Sequence, residues 1–292
     1  MVKETNPTVS VVMCARNAVM YIGSCIESIL NQSFRNFEII VVDDASTDKT
    51  GNLIRGFDDQ RIRYFRNEEW FGIARSRNRG LIHATGKYIF FTDADCVVAK
   101  NWIEEGLKCL EDADCVGVEG KIFYVSKHYT PTFSDHIMEN RNGDNFMTGN
   151  VAYKKSVVKG VGGFDERIFY LCDRDLALRI MKQGKICFNK KMIVYHPRVT
   201  LSPERLIKSA AIIENRVCLF KRFGEKKQIS WRVVNPFNLA KILFPPLIFV
   251  SLFFNKFKTE DDFKLLPYTY IYAVFERLHV WKTCARERVF LI

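Results

Sequence analysis

Asp93 and Asp95 stand one residue apart in "FFTDADCVVA", directly after the apolar run "KYIFF". Two carboxylates at that spacing, joined by a third acidic or imidazole group from elsewhere, can hold a hard divalent cation whose remaining positions go to diphosphate oxygens. "TDAD" also reads more plainly as a turn that ends a strand, since Asp favours turns and helix starts. Candidate partners occur in three other places: Asp43 and Asp44 ending "FEIIVVDD", Asp173 and Asp175 in "CDRDLALRI", and His196 ending "KMIVYH". An Asp at a helix N-terminus is favoured by the helix dipole whatever else it does, and a lone His after a strand is commonly structural.

The elements that must carry these residues alternate. "TVSVVMC" reads as a buried strand followed by a helix over residues 21–31, with Ile22, Ile26, Ile29 and Leu30 at helical spacing. "FEIIVVDD" is a second strand, with Ser46, Thr47 and Asp48 as capping residues for a short helix. "RIRYF" and "GIARSRNRGLIHA" give a third strand and its helix, and "KYIFF" a fourth strand. Runs that are apolar throughout, rather than alternating, predict a parallel sheet covered on both faces. In such α/β sheets ligands bind beyond the carboxyl ends of the strands, where Asp43–Asp44 and Asp93–Asp95 both fall. Neither G-x-G-x-x-G nor G-x-x-x-x-G-K-[ST] is present, so phosphate must be held without the usual dinucleotide fingerprint or P-loop. A helix is predicted to begin near Asp173, after the glycine turn at Gly160, Gly162 and Gly163.

The chain has 292 residues, 48% hydrophobic and 26% charged, which argues against a disordered chain and suits one large domain or one domain with an appendage. Its net charge of +11 is uneven: residues 201–292 hold 16 Lys/Arg against 8 Asp/Glu. Nine cysteines without a C-x-x-C pair argue against a disulfide framework or zinc site, and no signal-peptide core precedes the first strand, so a reducing, cytoplasmic setting is expected.

Four blocks in order, "PTVSVVMCARN", "VVDDASTDKT", "GIARSRNRG" leading to "YIFFTDADC", and "GGFDE" leading to "CDRDLALRI", resemble the family 2 glycosyltransferases over about residues 7–225. The resemblance implies a GT-A fold: a Rossmann-like, mostly parallel sheet flanked by helices, here with a C-terminal helical, apolar and basic extension. It implies a catalytic domain at 1–225 and an extension at 226–292. Ala15, Arg16 and Asp44 would line the nucleotide base, most commonly uracil. Arg77 would lie near the base or diphosphate, a solvent-facing position being the alternative for so polar a segment. Asp93 would face the ribose or a metal-bound water, and Asp95 would ligate Mn²⁺ or Mg²⁺ through the diphosphate of a nucleoside-diphosphate sugar. His196 falls where many relatives place a further ligand or phosphate contact. Asp173 matches the general base of an inverting displacement, although Cys172 stands where Glu is usual, which alters the electrostatics around the base. "QISWR" (228–232) reverses the order of the processive synthases' Q-x-x-R-W, so a single transfer is expected.

Beyond about residue 225 the chain turns apolar and aromatic with flanking Lys and Arg. Its longest apolar core, Ile242 to Phe254, is 13 residues, short of the roughly 20 that span a membrane. The pattern suits attachment of 233–292 to a membrane surface, a packed helical subdomain being the alternative, and does not suit nucleic acid. The acceptor expected at the cytoplasmic face is a glycan or lipid-linked hydroxyl or phosphate. A nucleotidyltransferase and a non-catalytic sugar-nucleotide or glycan binding module are the rival functions.

Overall fold

Among the described residues eight strands form one sheet, with helices packed on both of its faces. β1 (Val9–Ala15), β2 (Phe37–Asp43), β3 (Ile62–Arg66) and β4 (Tyr88–Phe91) run parallel in the order β3-β2-β1-β4, with α1 (Ile22–Leu30), α2 (Thr50–Arg55) and α3 (Ile73–His83) as crossovers. The sheet continues as β7 (Val151–Lys154), antiparallel to β4, then β6 (Cys115–Tyr124), β8 (Lys185–His196) and the short β5 (Val97–Val98). This computed structural model describes residues 6–125, 132–135, 138–224, 243 and 257–288. The segment 228–232 and, apart from Leu243, the apolar core at 242–254 lie outside the described residues.

Continuous apolar strands are what two covered faces require, and successive side chains of β1 go to opposite layers. Val9, Val11 and Met13 pack with Ile22, Ile26 and Ile29 of α1 and with Trp102 and Leu110 of α4 (Trp102–Leu110). Val12 packs with Ala74 of α3, Val158 of α5 (Lys155–Gly160) and Leu176 of α6 (Cys172–Ile180). The strand order reverses between β1 and β4, which puts a crevice beyond their carboxyl ends.

The expected strands and helices of residues 8–91 are all present within a residue or two, and α6 begins one residue before Asp173. One expectation fails. Cys115 and Cys187, on the adjacent strands β6 and β8, are joined as a disulfide with Cα atoms 6.2 Å apart, although the sequence argued against such bridges. The two are 72 residues apart in the chain and become neighbours only through strand pairing, so their spacing gave no sign of it.

Contacts divide the chain into two units, Met1–Lys127 with Met138–Pro197, and His128–Ile137 with Arg198–Ile292. The second holds α7 (Pro203–Ser209), α8 (Ile212–Phe223) and α9 (Glu260–Glu287). Ile213 and Val217 of α8 pack on Val280 of α9. A capping box at Thr259 and Asp262 starts α9. The Asp262 carboxylate also accepts N–H bonds from Ser134, Lys258 and Thr259, which hold its pKa far below the usual carboxylate range against its partial burial. Phe263, Phe275, Leu278 and Trp281 are exposed on α9 and, at 100° per residue, spread over only about 120° of it. Exposed Lys264 and Lys282 lie within that face. Among the described residues, no helix is long and apolar enough to cross a membrane.

Candidate active site

β1, β2 and β4 deliver the predicted residues to one edge of the first unit. Ala15 ends β1 and is buried, while Arg16 is exposed with its guanidinium 5.1 Å from the Trp70 ring. Trp70 meets Phe169 edge-on, so two half-exposed aromatic rings and one arginine stand together there. Sequence reasoning missed both rings. Trp70 lies just before α3, at the carboxyl edge where the sheet rule looks for ligands, and that position was the available signal.

The Asp pair after β2 divides its work. Asp43 accepts from Tyr64 Oη at 2.6 Å, Arg66 Nη1 at 3.0 Å and Ser46 N at 2.8 Å, which makes it a structural clamp. Asp44, 5% exposed, accepts from Asn67 Nδ2 at 2.7 Å and from the N–H groups of Phe71 and Gly72 at 2.9 Å each. Its carboxylate therefore holds the segment between β3 and α3 and faces that segment.

Arg77 of α3 is buried, not solvent-facing. Its Nη2 donates to Asp93 Oδ1 at 3.0 Å, its Nη1 reaches Cys172 Sγ at 3.7 Å, and its guanidinium lies 5.6 Å from the Phe164 ring. A buried guanidinium needs a partner, and Asp93 supplies it. One side chain thus ties the acidic motif after β4 to the first turn of α6. Cys172 keeps its proton: burial pushes its thiol up to about 11, Arg77 pulling the other way. Burial likewise pushes Cys14, facing the same guanidinium, to about 12.

Asp95 meets His196, from the end of β8, with Oδ2 and Nε2 3.5 Å apart. His196 Nδ1 lies 2.9 Å from Pro197 O, and a carbonyl only accepts, so Nδ1 carries a proton and Nε2 is the atom turned toward Asp95. A proton or a cation can bridge two such atoms at that separation. Burial raises the Asp95 pKa, the His196 charge lowering and Asp93 raising it. Asp95, Cys96 and His196 can bring one ligand atom each within 4.8 Å of one another. The Cys96 thiol, pushed well up by burial and by Asp93 and Asp95, is a poor third ligand, whereas one carboxylate and one imidazole suit Mn²⁺ or Mg²⁺ with open positions.

Asp173 is half-buried in the first turn of α6. The N-cap is Leu171, in the left-handed region, with no side-chain cap, and Asp173 accepts from Arg174 N at 2.8 Å. Burial raises its pKa, with Arg77 and the N–H groups of Arg174 and Thr148 opposing and Asp93 adding to the rise. Asp175, fully buried, is paired with Arg179 at 2.7 Å.

Comparison with known proteins gives the family and the fold. The family model for glycosyl transferase family 2 matches residues 10–164, just over half of the chain. Glycosyltransferase GlyG of Streptococcus pneumoniae is 37% identical over 117 residues, 39% of each chain. The UDP-Glc:alpha-D-GlcNAc-diphosphoundecaprenol beta-1,3-glucosyltransferase WfgD of Escherichia coli is 38% identical over 96 residues, 33% of this chain and 38% of that one. The chain spans about two fifths of the length of the curated relatives it matches first. Among solved structures, the mannosyltransferase PcManGT from Pyrobaculum calidifontis, in complex with GDP-Man and Mn²⁺, aligns over 99% of this chain and 77% of that one at a TM-score of 0.59 and 18% identity. At that identity the likeness carries the fold, which is GT-A. With the family model covering residues 10–164, the chain belongs to glycosyl transferase family 2.

Proposed function

We propose that this chain transfers one sugar from a nucleoside-diphosphate sugar, a UDP-sugar first, to a hydroxyl or phosphate of a lipid-linked or glycan acceptor, with inversion and with a divalent cation. The observation that carries the reading is Arg77: one buried guanidinium joins Asp93, beside the Asp95–His196 pair, to Cys172, beside Asp173. Donor-side and acceptor-side groups thereby meet in one crevice of the first unit.

In this reading Ala15, Arg16 and Trp70 border the base, and Asp44 shapes the base side by fixing the 67–72 segment. Asp95 and His196 hold Mn²⁺ or Mg²⁺, and Asp93, oriented by Arg77, faces the ribose. The cation, when bound, neutralises charge on the departing nucleoside diphosphate. Asp173 takes the acceptor proton. The acceptor oxygen forms its bond to the anomeric carbon as the bond to the diphosphate oxygen breaks, so the configuration inverts and no enzyme-linked sugar forms. Asp175 is unsuited to the base role because Arg179 occupies its carboxylate.

The name of WfgD, a diphosphoundecaprenol glucosyltransferase, supports a lipid-linked acceptor, and the exposed aromatic face of α9, edged by Lys282, supports attachment to a membrane surface. Free cysteines at Cys14, Cys25, Cys96 and Cys172 suit the cytoplasmic side, against which the Cys115–Cys187 disulfide weighs. We assign catalysis to residues 1–225 and surface attachment to 226–292.

The test is a panel of nucleotide sugars incubated with the full chain and Mn²⁺ or Mg²⁺, with release of nucleoside diphosphate measured. Metal-dependent release abolished by EDTA is expected. Pyrophosphate release from a nucleoside triphosphate instead would make the chain a nucleotidyltransferase, and tight binding without turnover a binding module.

A further inference from the structure

Glu119 lies in the middle of β6, 2% exposed, and takes no part in the reaction drawn above. Its Oε2 accepts from Asn140 Nδ2 and Phe146 N at 2.9 Å each and from Asn145 N at 3.3 Å, while Oε1 accepts a short bond from Asp144 N. The backbone around these donors is unusual: φ is +88° at Gly143, +66° at Asp144 and +55° at Phe146. Non-glycine residues persist in the left-handed region only where their surroundings over-determine it. Three backbone N–H groups converging on one buried carboxylate do so here.

The strap formed by residues 143–149 leads from Glu119 to the base. Arg174, next to Asp173 in the chain, donates from Nη1 to Asp144 O at 2.8 Å and lies 5.7 Å from the Phe146 ring. The Thr148 N–H is among the groups that hold the Asp173 pKa down. Gly149 O accepts from Thr92, the residue before Asp93, at 3.2 Å. The phenol of Tyr153 on β7, wholly buried, is within electrostatic reach of both Asp173 and Glu119, and burial keeps it protonated. The outward side chains of the strap, Asp144 and Asn145, are exposed hydrogen-bonding groups of the kind that recognise sugar hydroxyls.

We infer that Glu119 is the positioning residue of the acceptor side: by fixing the 143–149 strap it sets Arg174 and the Thr148 N–H, and through them the Asp173 carboxylate. The inference rests on the glycosyl-transfer reading for its consequence, and for the coupling on the bonds from Glu119 to the strap and from Arg174 to Asp144 O. Asp173 faces Arg77 of α3, Asp93 after β4, Tyr153 of β7 and Cys172 of α6, none of which the following variants alter.

The test uses the full chain as wild type, Glu119→Gln and Arg174→Lys. It is read by backbone hydrogen exchange and by hydrolysis of the nucleotide sugar that the donor panel identifies, with water standing in for the acceptor. In Glu119→Gln the amide nitrogen must face at least one N–H donor, so amides of 144–148 should exchange about tenfold faster or more while those of α3 keep their rates. Hydrolytic kcat should fall about tenfold with KM for the nucleotide sugar within about twofold, and its acid limb should move to higher pH as Asp173 loses the Thr148 N–H. Arg174→Lys should lower kcat in the same way while Glu119 keeps the strap amides protected. Wild-type exchange at 144–148 in Glu119→Gln overturns the inference. So does faster exchange with unchanged kcat and acid limb, which would make Glu119 structural only. If Glu119→Gln fails to fold, unchanged kcat in Arg174→Lys overturns it. A wild type that hydrolyses no nucleotide sugar refutes the function proposed above, and the exchange measurement then decides the coupling by itself.

Discussion

At the carboxyl edge of β2 and β4, Asp44, Asp93 and Asp95 follow strands in which every residue is buried, whereas Asp173 sits in a helix whose approach is held by one buried carboxylate and a strap of left-handed backbone. The proposed donor side inherits its geometry from sheet hydrogen bonding. The acceptor side is assembled from side chains: Glu119 under the strap, Arg174 across it, and Asn150, which accepts from Trp102 Nε1 and donates to Lys121 O and Met192 O between β6 and β8. A sheet edge tolerates substitution around it, because strand pairing is spread over many residues. A strap held by one carboxylate does not. The two sides should therefore fail differently when broken.

The sharpest break lies at Asp173. Asp173→Asn keeps an oxygen for the Arg174 N–H, so the melting temperature should stay within a few degrees of wild type and nucleoside-diphosphate affinity should be unchanged. Single-turnover transfer should drop by roughly 10² to 10⁴, since an amide cannot take up the acceptor proton. A near-wild-type rate would remove the base role from α6 altogether, because Asp175 is held by Arg179.

On the donor side, Asp95→Asn and His196→Ala should each weaken Mn²⁺-dependent binding of nucleoside diphosphate by about 10- to 100-fold, as expected for loss of one metal-orienting group. The fold should survive, since both side chains meet at the crevice edge and Asp95 is 30% exposed. Calorimetry with and without Mn²⁺ checks this: unchanged metal dependence in both variants would show that the 3.5 Å pair holds no metal.

How much of this was legible follows the same division. Continuous apolar runs announced β1, β2 and β4, and the Asp residues after β2 and β4 marked their edge, because a strand buried on both faces reads as an unbroken apolar run. β6 is broken by Gly117, Glu119, Gly120 and Lys121, and β7 is four residues long, so neither stood out. Glu119 was invisible for a further reason: its donors lie 21 to 27 residues away and are mostly backbone N–H groups, which carry no sequence identity. Arg77 lay in a polar segment and its burial depends on Asp93 and Cys172, 16 and 95 residues distant. The disulfide partners were likewise brought together only by the β6–β8 register.

A packing change can separate sheet stability from chemistry. A Cβ at Gly80 of α3 would come within 2.4 Å of Val12 Cγ1 on β1, too close for either backbone to ignore. Gly80→Ala should thus lower stability by about 1–3 kcal/mol through overpacking between helix and sheet. The kcat of the folded fraction should be unaffected, since the substitution lies under the sheet rather than at its edge. Denaturant unfolding beside kcat normalised to folded protein reads both. A parallel loss of kcat and stability would mean that α3 carries Arg77 out of place with it, and that the donor side is as strap-like as the acceptor side.

The smallest effect expected is in pH dependence, and it bears on Asp173 alone. Burial raises its pKa in the folded chain, with Arg77 and the N–H groups of Arg174 and Thr148 holding the rise in check. A carboxyl whose folded pKa exceeds its unfolded value binds more protons folded than unfolded in the interval between them, so deprotonating it there costs stability. Its contribution to stability is full below the unfolded pKa, about 4, and is lost as pH rises through the folded value. Activity runs the other way, because only the carboxylate can accept a proton. The rate should therefore climb with pH above the ordinary carboxylate range, by no more than about tenfold per pH unit, and level off where Asp173 is fully ionised. Asp173→Asn should flatten that limb in the residual activity while leaving the pH dependence of nucleoside-diphosphate binding as in wild type. A limb that persists unchanged in the variant would belong to the donor side, with Asp95, also raised by burial, as the group to test next.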